Sequence, residues 1–423
     1  MSFLEGITRL WPSRSRVAPG GKTKEVVRFY LHLVSLVAVS PAAAEPVPLR
    51  MVQPSEVAEL LAISLGGGPP IAPLPADPVA QARAITMLQP AQPVTEDDAA
   101  VVVATSGSTG APKGVVLSRA AIRASVAAMD DRLGGPGDWA LALPVHYIAG
   151  LMVLARAHLA GTRAVPVRSD LSNLPQVAGR LSQRRYISLV PTQLDKALQR
   201  GDAAAALGSF SAVLVGGGPA GPGLVERAIT AGIRAVPTYG MSETCGGCVC
   251  DGEPLRGVAV ELGEEGRIMI RSSTLFAGYR LRPDLTAETV VEGWLRSQDR
   301  GCWEAGKLVV LGRMDDIVIT AGHKVDLAEV EQAAQRWATA RGAQVAVLGL
   351  ADQVWGTTVM AISDSPGSLE ELRLAVRESL PAYAVPRELI HLDPFPRLAS
   401  GKPDRRAIMS MITSMRAERQ ATA

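Results

Sequence analysis

The sequence predicts an α/β fold. It has a large N-terminal domain with mostly parallel sheets plus a small β subdomain, then a smaller C-terminal α+β domain. Three observations carry this. From about residue 100, short apolar runs alternate with amphipathic helical stretches, the pattern of a mostly parallel sheet covered on both faces. Between about 256 and 312, short runs are joined by Gly-containing turns with little helix, the pattern of an antiparallel β subdomain. After Gly312 the alternation returns over about 100 residues, a normal size for an independent domain. The boundaries drawn from these shifts are a variable N-terminal extension over 1–50, a large domain over 51–313 and a small domain over 314–423.

In chain order, Val101–Ala104 is a short apolar strand ending in a Gly/Ser/Thr loop. Ser118 sits at an N-cap position before the helical stretch 119–133. The runs at 139–145, 162–167, 186–191, 212–217 and 234–240 are buried strands, with helices over 174–183, 192–199 and 221–230 between them. In such a sheet, ligands bind beyond the carboxyl ends of the strands. The runs GVAVEL, GRIMIRS, LFAGYR, GWLRS and KLVVLG make up the β subdomain. In the last domain, helices over 326–340 and 368–380 flank strands AQVAVLGL and TTVMAISD, and the tail from Met409 is expected to fray.

Composition removes several function classes. The 423 residues carry 43 Lys plus Arg against 41 Asp plus Glu, a net charge of +2. That excludes a broad electrostatic footprint for nucleic acid or anionic membrane. Four cysteines are too few for a disulfide scaffold and point to a reducing, cytoplasmic compartment. The uncharged run Phe29–Ala44 is shorter than the ~20 apolar residues a spanning helix needs, so no integral membrane contact is expected. Basic residues before it and Ala42–Ala44 after it mimic a signal peptide, but the run begins late for one. An N-terminal extension, with Met51 as an alternative start, is the expectation. The 41 glycines stand against only 17 aromatic residues, which directs attention to Gly clusters where backbone can approach a ligand.

The first cluster is TSGSTGAPKG, Thr105 to Gly114, between a strand and a helix. Its N–H groups, hydroxyls and Lys113 make an anion cradle. It is not a Walker A loop, because Pro112 precedes Lys113 and Gly114 follows it. The second cluster, Gly216-Gly217-Gly218, ends a strand and is weak alone. The third is Tyr239-Gly240-Met241-Ser242-Glu243-Thr244, where Gly240 lets the chain turn and a ring, a hydroxyl and a carboxylate come close together. A carboxylate beside a phosphate site is the expected Mg²⁺ ligand.

TSGSTGAPKG followed by YGMSET resembles the adenylate-forming superfamily, which includes acyl- and aryl-CoA synthetases, luciferases and adenylation domains. The resemblance continues in order through GEEGRIMIRSSTLFAGYR, GRMDDIVITAGHKVDLAEVE and PRLASGKPDRRAI, over roughly 95–410. One triplet departs: the family's Thr-Gly-Asp reads Ser297-Gln298-Asp299, which keeps the Asp but changes the local turn. Narrower similarity, in 143–162 and 242–252, is to the o-succinylbenzoate–CoA ligases of menaquinone synthesis.

The resemblance implies ATP-dependent activation of a carboxylic acid as acyl-AMP, followed by transfer to CoA. It implies that Thr105, Ser106, Gly107, Ser108, Thr109, Gly110 and Lys113 hold the β- and γ-phosphates. Glu243 would bind Mg²⁺ and Ser242 would contact the α-phosphate. Tyr239 and Gly216, Gly217 and Gly218 would form the adenine slot, with Asp299 and Arg313 on the ribose. Lys402 matches the catalytic lysine, bridging the attacking carboxylate and the α-phosphate. Asp315 matches a hinge about which the small domain moves, presenting the Gly322 side to CoA.

His146, Met241, Gly246 and Gly247 fall where relatives line the acyl pocket. His146 then contacts a substrate carboxylate, gates the channel, or simply packs in the core. Cys245, Cys248 and Cys250 lack a nearby fourth ligand, so they fill space rather than hold zinc. The implied partners are ATP, Mg²⁺, CoA and a small carboxylic acid, with no nucleic acid. A homodimer is compatible with the sequence. The alternatives are another aryl- or acyl-CoA ligase, or an adenylation enzyme loading a separate carrier protein.

Overall fold

The computed structural model describes residues 47–105, 112–182, 184–220, 223–352, 356–397 and 403–421, with side chains of the last helix described to residue 416. Pro46–Ala423 forms one compact unit. Its main sheet has seven strands, in the spatial order Glu253–Pro254, Gly246–Cys250, Ala235–Met241, Ala212–Val215, Arg185–Leu189, Asp138–Leu141, Ala164–Pro166. The five from Ala235–Met241 onward are parallel, with Val213 opposite Ala235 and Ala212 opposite Tyr186. Their residues are apolar on both faces, as a doubly covered sheet requires. Parallel direction brings the ends of Arg185–Leu189, Ala212–Val215 and Ala235–Met241 to one edge.

A second sheet has five strands, Gly278–Tyr279, Lys113–Ser118, Ala99–Thr105, Ile71–Pro73 and Arg50–Val52. Here the structure departs from the sequence expectation twice. The Thr105–Gly114 loop joins two antiparallel strands, with Thr105 opposite Lys113, and does not open directly onto a helix. The apolar run Val115–Leu117 pairs before the chain reaches its helix at Arg119–Leu133, which Ser118 Oγ does cap by accepting from Ala121 N at 3.1 Å. The run LFAGYR, placed by sequence in the β subdomain, instead returns to this sheet, where Tyr279 pairs with Val115.

Residues 47–50 belong to the ordered fold. Val47–Pro48 pairs with Pro93–Val94 and Leu49 is buried. The β subdomain is built on Val258–Leu262, Arg267–Ser272, Trp294–Glu304 and Lys307–Arg313. The C-terminal module carries a five-stranded sheet flanked by helices Leu327–Thr339 and Leu369–Arg377, with its own apolar core. The tail does not fray at Met409. It continues as the helix Arg405–Ala421, because Ile408 and Ile412 bury against the module's sheet. Among the described residues, no helix is long and apolar enough to cross a membrane.

Candidate active site

The strand Ala235–Met241 runs on past the end of its parallel neighbour Ala212–Val215, with Tyr239 paired to Val249, and a single helical turn, Ser242–Thr244, follows it. Thr244 Oγ1 ties this turn down, donating to Gly246 O at 2.7 Å and accepting from Met241 N at 3.0 Å. Gly240 is needed here for a different reason from the turn that sequence suggests. A β-carbon on it would lie 2.0 Å from the Gly246 carbonyl oxygen, so the two strands meet only without a side chain. Gly240→Ala is therefore expected to cost ~1–3 kcal/mol or more of stability by overpacking against rigid backbone. Urea unfolding of the purified variant reads this, and an unchanged midpoint would contradict it.

Two polar clusters flank this turn. In the first, Lys113 Nζ lies 2.9 Å from Glu243 Oε1 and donates to the Tyr279 hydroxyl at 2.7 Å. Tyr279 in turn donates to Glu243 Oε1 at 2.8 Å. Burial, then the charge of Glu243, pushes the Tyr279 phenol well above its ordinary value, so it stays a donor. In the second cluster, Tyr239 donates to Asp299 Oδ2 at 2.8 Å, and Arg313 Nη1 lies 3.4 Å from Asp299 Oδ1. Arg313 also grips Asp315 through Nε at 2.7 Å and Nη2 at 3.2 Å.

Burial raises the Asp299 carboxyl against the opposing pull of Tyr239 and Arg313. It also raises the Tyr239 phenol, with Asp299 adding to the effect. Burial draws Arg313 down, but its hydrogen bond to Asp315 and the charges of Asp315 and Asp299 more than offset that. The altered triplet forms no turn: it lies within the strand Trp294–Glu304, where the pairing with Arg267–Ser272 is irregular and Ser297 Oγ accepts from Asp299 N at 3.1 Å. Gln298 faces out and accepts from Arg267 at 3.3 Å.

The remaining sequence candidates fall around these clusters. Gly216 stands at the edge where the parallel strands end, and a β-carbon there would lie 2.3 Å from Thr238 Oγ1. Gly217 (φ +79°) and Gly218 continue that edge. Gly246 (φ +90°) lies against the start of helix Ile148–Leu159, with its notional β-carbon 3.5 Å from Met152. Val145, Ile148, Tyr239 and Met241 pack on one apolar core, and Gly247 lies beside Thr238 and Met129. His146 is half-buried against Tyr147, with rings 4.1 Å apart, and burial lowers its pKa.

Gly322 (φ +81°) follows Ala321 (φ +51°) in the hairpin turn between Ile317–Thr320 and His323–Asp326. Two left-handed residues in succession favour this tight hairpin turn. Ser106, Gly107, Ser108, Thr109, Gly110 and Lys402 lie outside the described residues. Among the described residues, no group of three metal-ligating side chains gathers. Cys245, Cys248 and Cys250 are buried, and burial pushes the Cys248 thiol up to about 12 and the Cys250 thiol to about 11, as for space-filling thiols.

The structure therefore joins Lys113, Glu243, Tyr239, Asp299, Arg313 and Asp315, which are scattered over some two hundred residues of sequence. Sequence reasoning missed Tyr279. The signal available for it was its place beside Gly278 in LFAGYR, which only the pairing with Val115 turns toward Lys113. A single carboxylate beside a lysine is a sound base for Mg²⁺ carried by a polyphosphate. Such an ion is held by one or two carboxylates plus phosphate oxygens, not by an all-protein cage.

The AMP-binding enzyme family matches residues 34–280, and the AMP-binding enzyme C-terminal domain matches 329–402. A Mycobacterium tuberculosis protein named "Probable 2-succinylbenzoate–CoA ligase" is 46% identical over 329 residues, covering 74% of this chain and 85% of that protein. The o-succinylbenzoate CoA synthetase of Bacillus subtilis, solved with its acyl-adenylate intermediate, superposes with a TM-score of 0.68 at 25% identity, over 85% of this chain and 82% of that one. The same enzyme in complex with ATP and magnesium superposes with a TM-score of 0.67, also at 25% identity, over 82% of this chain and 81% of that one. By sequence, the chain belongs to the AMP-binding enzyme family.

Proposed function

We propose that this chain is an ATP-dependent 2-succinylbenzoate–CoA ligase acting in menaquinone synthesis. The observation that carries the reaction class is the meeting of Lys113, Glu243 and Tyr279 beside Tyr239, Asp299 and Arg313 at one edge of the parallel sheet. The substrate assignment rests on the names of the relatives.

In the first step a carboxylate oxygen attacks the α-phosphorus of ATP, and the bond to pyrophosphate breaks. In the second, the CoA thiol, losing its proton, attacks the acyl carbonyl, and AMP leaves. Like charges meet in the first step, so the site must supply cations and N–H donors. Lys113 and the Thr105–Gly114 loop do this at the β- and γ-phosphates, and Lys402 at the α-phosphate, where Ser242 adds a hydroxyl. Asp299 accepts from the ribose hydroxyls and Arg313 reaches the same sugar. Tyr239 and Gly216–Gly218 wall the adenine. When bound at Glu243, Mg²⁺ neutralises part of the phosphate charge.

His146, Met241, Gly246 and Gly247 border the acyl group. The module 314–423 turns about Asp315 between the two steps and brings the Gly322 hairpin toward CoA. The soluble substrates and few cysteines suit a cytoplasmic enzyme, and a homodimer remains compatible with this function, readable by light scattering.

A substrate panel tests the proposal. AMP release by purified protein should require both 2-succinylbenzoate and CoA, with kcat/KM at least ~10²-fold above that for benzoate or medium-chain acids. Equal or better turnover of another acid would reassign the substrate. Adenylation with no transfer to CoA would favour a carrier-protein acceptor.

A further inference from the structure

We propose that Tyr279 is a positioning residue for adenylation: its hydroxyl holds the Glu243 carboxylate in place when Lys113 turns away to the phosphates of ATP. The inference rests on the ATP-dependent reading above. Lys113 and Tyr279 both contact the same oxygen, Oε1 of Glu243, at 2.9 and 2.8 Å, and neither of these contacts uses Oε2. Lys113 also donates to Tyr279 itself, at 2.7 Å. A polyphosphate brings several negative charges that compete for the lysine ammonium. Once they draw it off, Glu243 loses its cation, and the phenol remains as the donor that keeps Oε1 fixed and Oε2 turned to the metal.

Tyr279 suits this because, apart from Lys113, the contacts that hold it do not involve the phosphate-binding side chains. Its backbone pairs with Val115, and its N–H donates to Thr286 Oγ1 at 2.8 Å. The next residue, Arg280, donates from its backbone to Gly114 O at 2.8 Å. The Arg280 guanidinium is buried and binds four backbone carbonyls, those of Leu88, Gln89, Gln92 and Pro93. The Tyr279 ring lies 4.7 Å from that of Phe276, whose N–H donates to the Glu243 carbonyl at 2.9 Å. One short segment, 276–280, thus holds both the main chain and the carboxylate of Glu243, and it flanks the strand that delivers Lys113. Outer-shell partners of metal ligands typically carry 10–100-fold in metal affinity or activity.

Tyr279→Phe keeps the ring and removes only the hydroxyl. The experiment is calorimetric ATP binding and pyrophosphate release across a Mg²⁺ series, on full-length wild type and variant. The Mg²⁺ concentration for half-maximal ATP binding should rise ~10-fold or more. AMP affinity without metal, KM for 2-succinylbenzoate and the melting temperature should stay within about two-fold or unchanged, since a purely structural role would move them together. In a Glu243→Gln background the further change Tyr279→Phe should add nothing, as expected of residues acting through one another.

An unchanged Mg²⁺ dependence in the variant, equal losses of AMP and ATP affinity, or additive effects in the double variant would each overturn the proposal. The wild-type arm separates the two failures. Absence of Mg²⁺-dependent ATP binding there refutes the functional reading, whereas its presence with an unaltered variant refutes only the role of Tyr279.

Discussion

Lys402→Ala is expected to lower acyl-adenylate formation ~10²–10³-fold while sparing thioester formation from supplied acyl-AMP. The magnitude is that of removing one preorganised charge from the point where negative charge develops. The selectivity follows from the two steps. In the first, a carboxylate and an α-phosphate are pressed together, and a bridging ammonium lowers the repulsion. In the second, a thiol attacks an already activated carbonyl, and AMP is a good leaving group without that lysine. Lys402 lies outside the described residues, so this prediction rests on its place in PRLASGKPDR. Pyrophosphate exchange reads the first step and CoA-dependent AMP release from added acyl-AMP the second. Equal losses in both, or in neither, would remove Lys402 from its role.

Glu243→Gln is expected to reduce adenylation ~10²–10³-fold. The amide keeps the size of the carboxylate and accepts from Tyr279 but carries no charge for a metal. Lys113 loses its partner at 2.9 Å, yet its side chain is 25% exposed and solvates readily, so the stability change should stay within about 1 kcal/mol. A large loss of activity with a near-native urea midpoint is the expected pair of results. Full activity would show that Glu243 is not the metal's ligand, and unfolding would show that it serves the core instead.

The fold was legible where a local pattern decides it. Apolar runs at Ala140, Ile187, Val213 and Ala235 alternate with helices, and a buried parallel sheet is the arrangement that satisfies both. Ser118 could be placed as a cap from one hydroxyl before a helical run. What stayed hidden was pairing between distant segments. Val115–Leu117 is short enough to pass as the lead-in to a helix, and LFAGYR lies between subdomain strands in sequence, yet both pair across the second sheet.

The site followed the same division. Lys113, Glu243, Tyr239 and Asp299 are identifiable from motifs, but the contacts that pair Lys113 with Glu243 and Tyr239 with Asp299 span 130 and 60 residues of sequence. Tyr279 stands beside Gly278 in LFAGYR, but nothing local turns it toward Lys113. From sequence, Gly240 reads as a turn glycine. The reason in the structure is the carbonyl of Gly246, six residues on, which no local rule brings to within 2.0 Å of a β-carbon.

The most direct test of the central claim omits CoA. Purified protein incubated with 2-succinylbenzoate and MgATP should accumulate the mixed anhydride of 2-succinylbenzoate and AMP, detected by mass spectrometry, with release of pyrophosphate and no ADP. Adding CoA should convert it to 2-succinylbenzoyl-CoA and AMP. Formation of ADP and phosphate, or no adenylate under these conditions, would contradict the account.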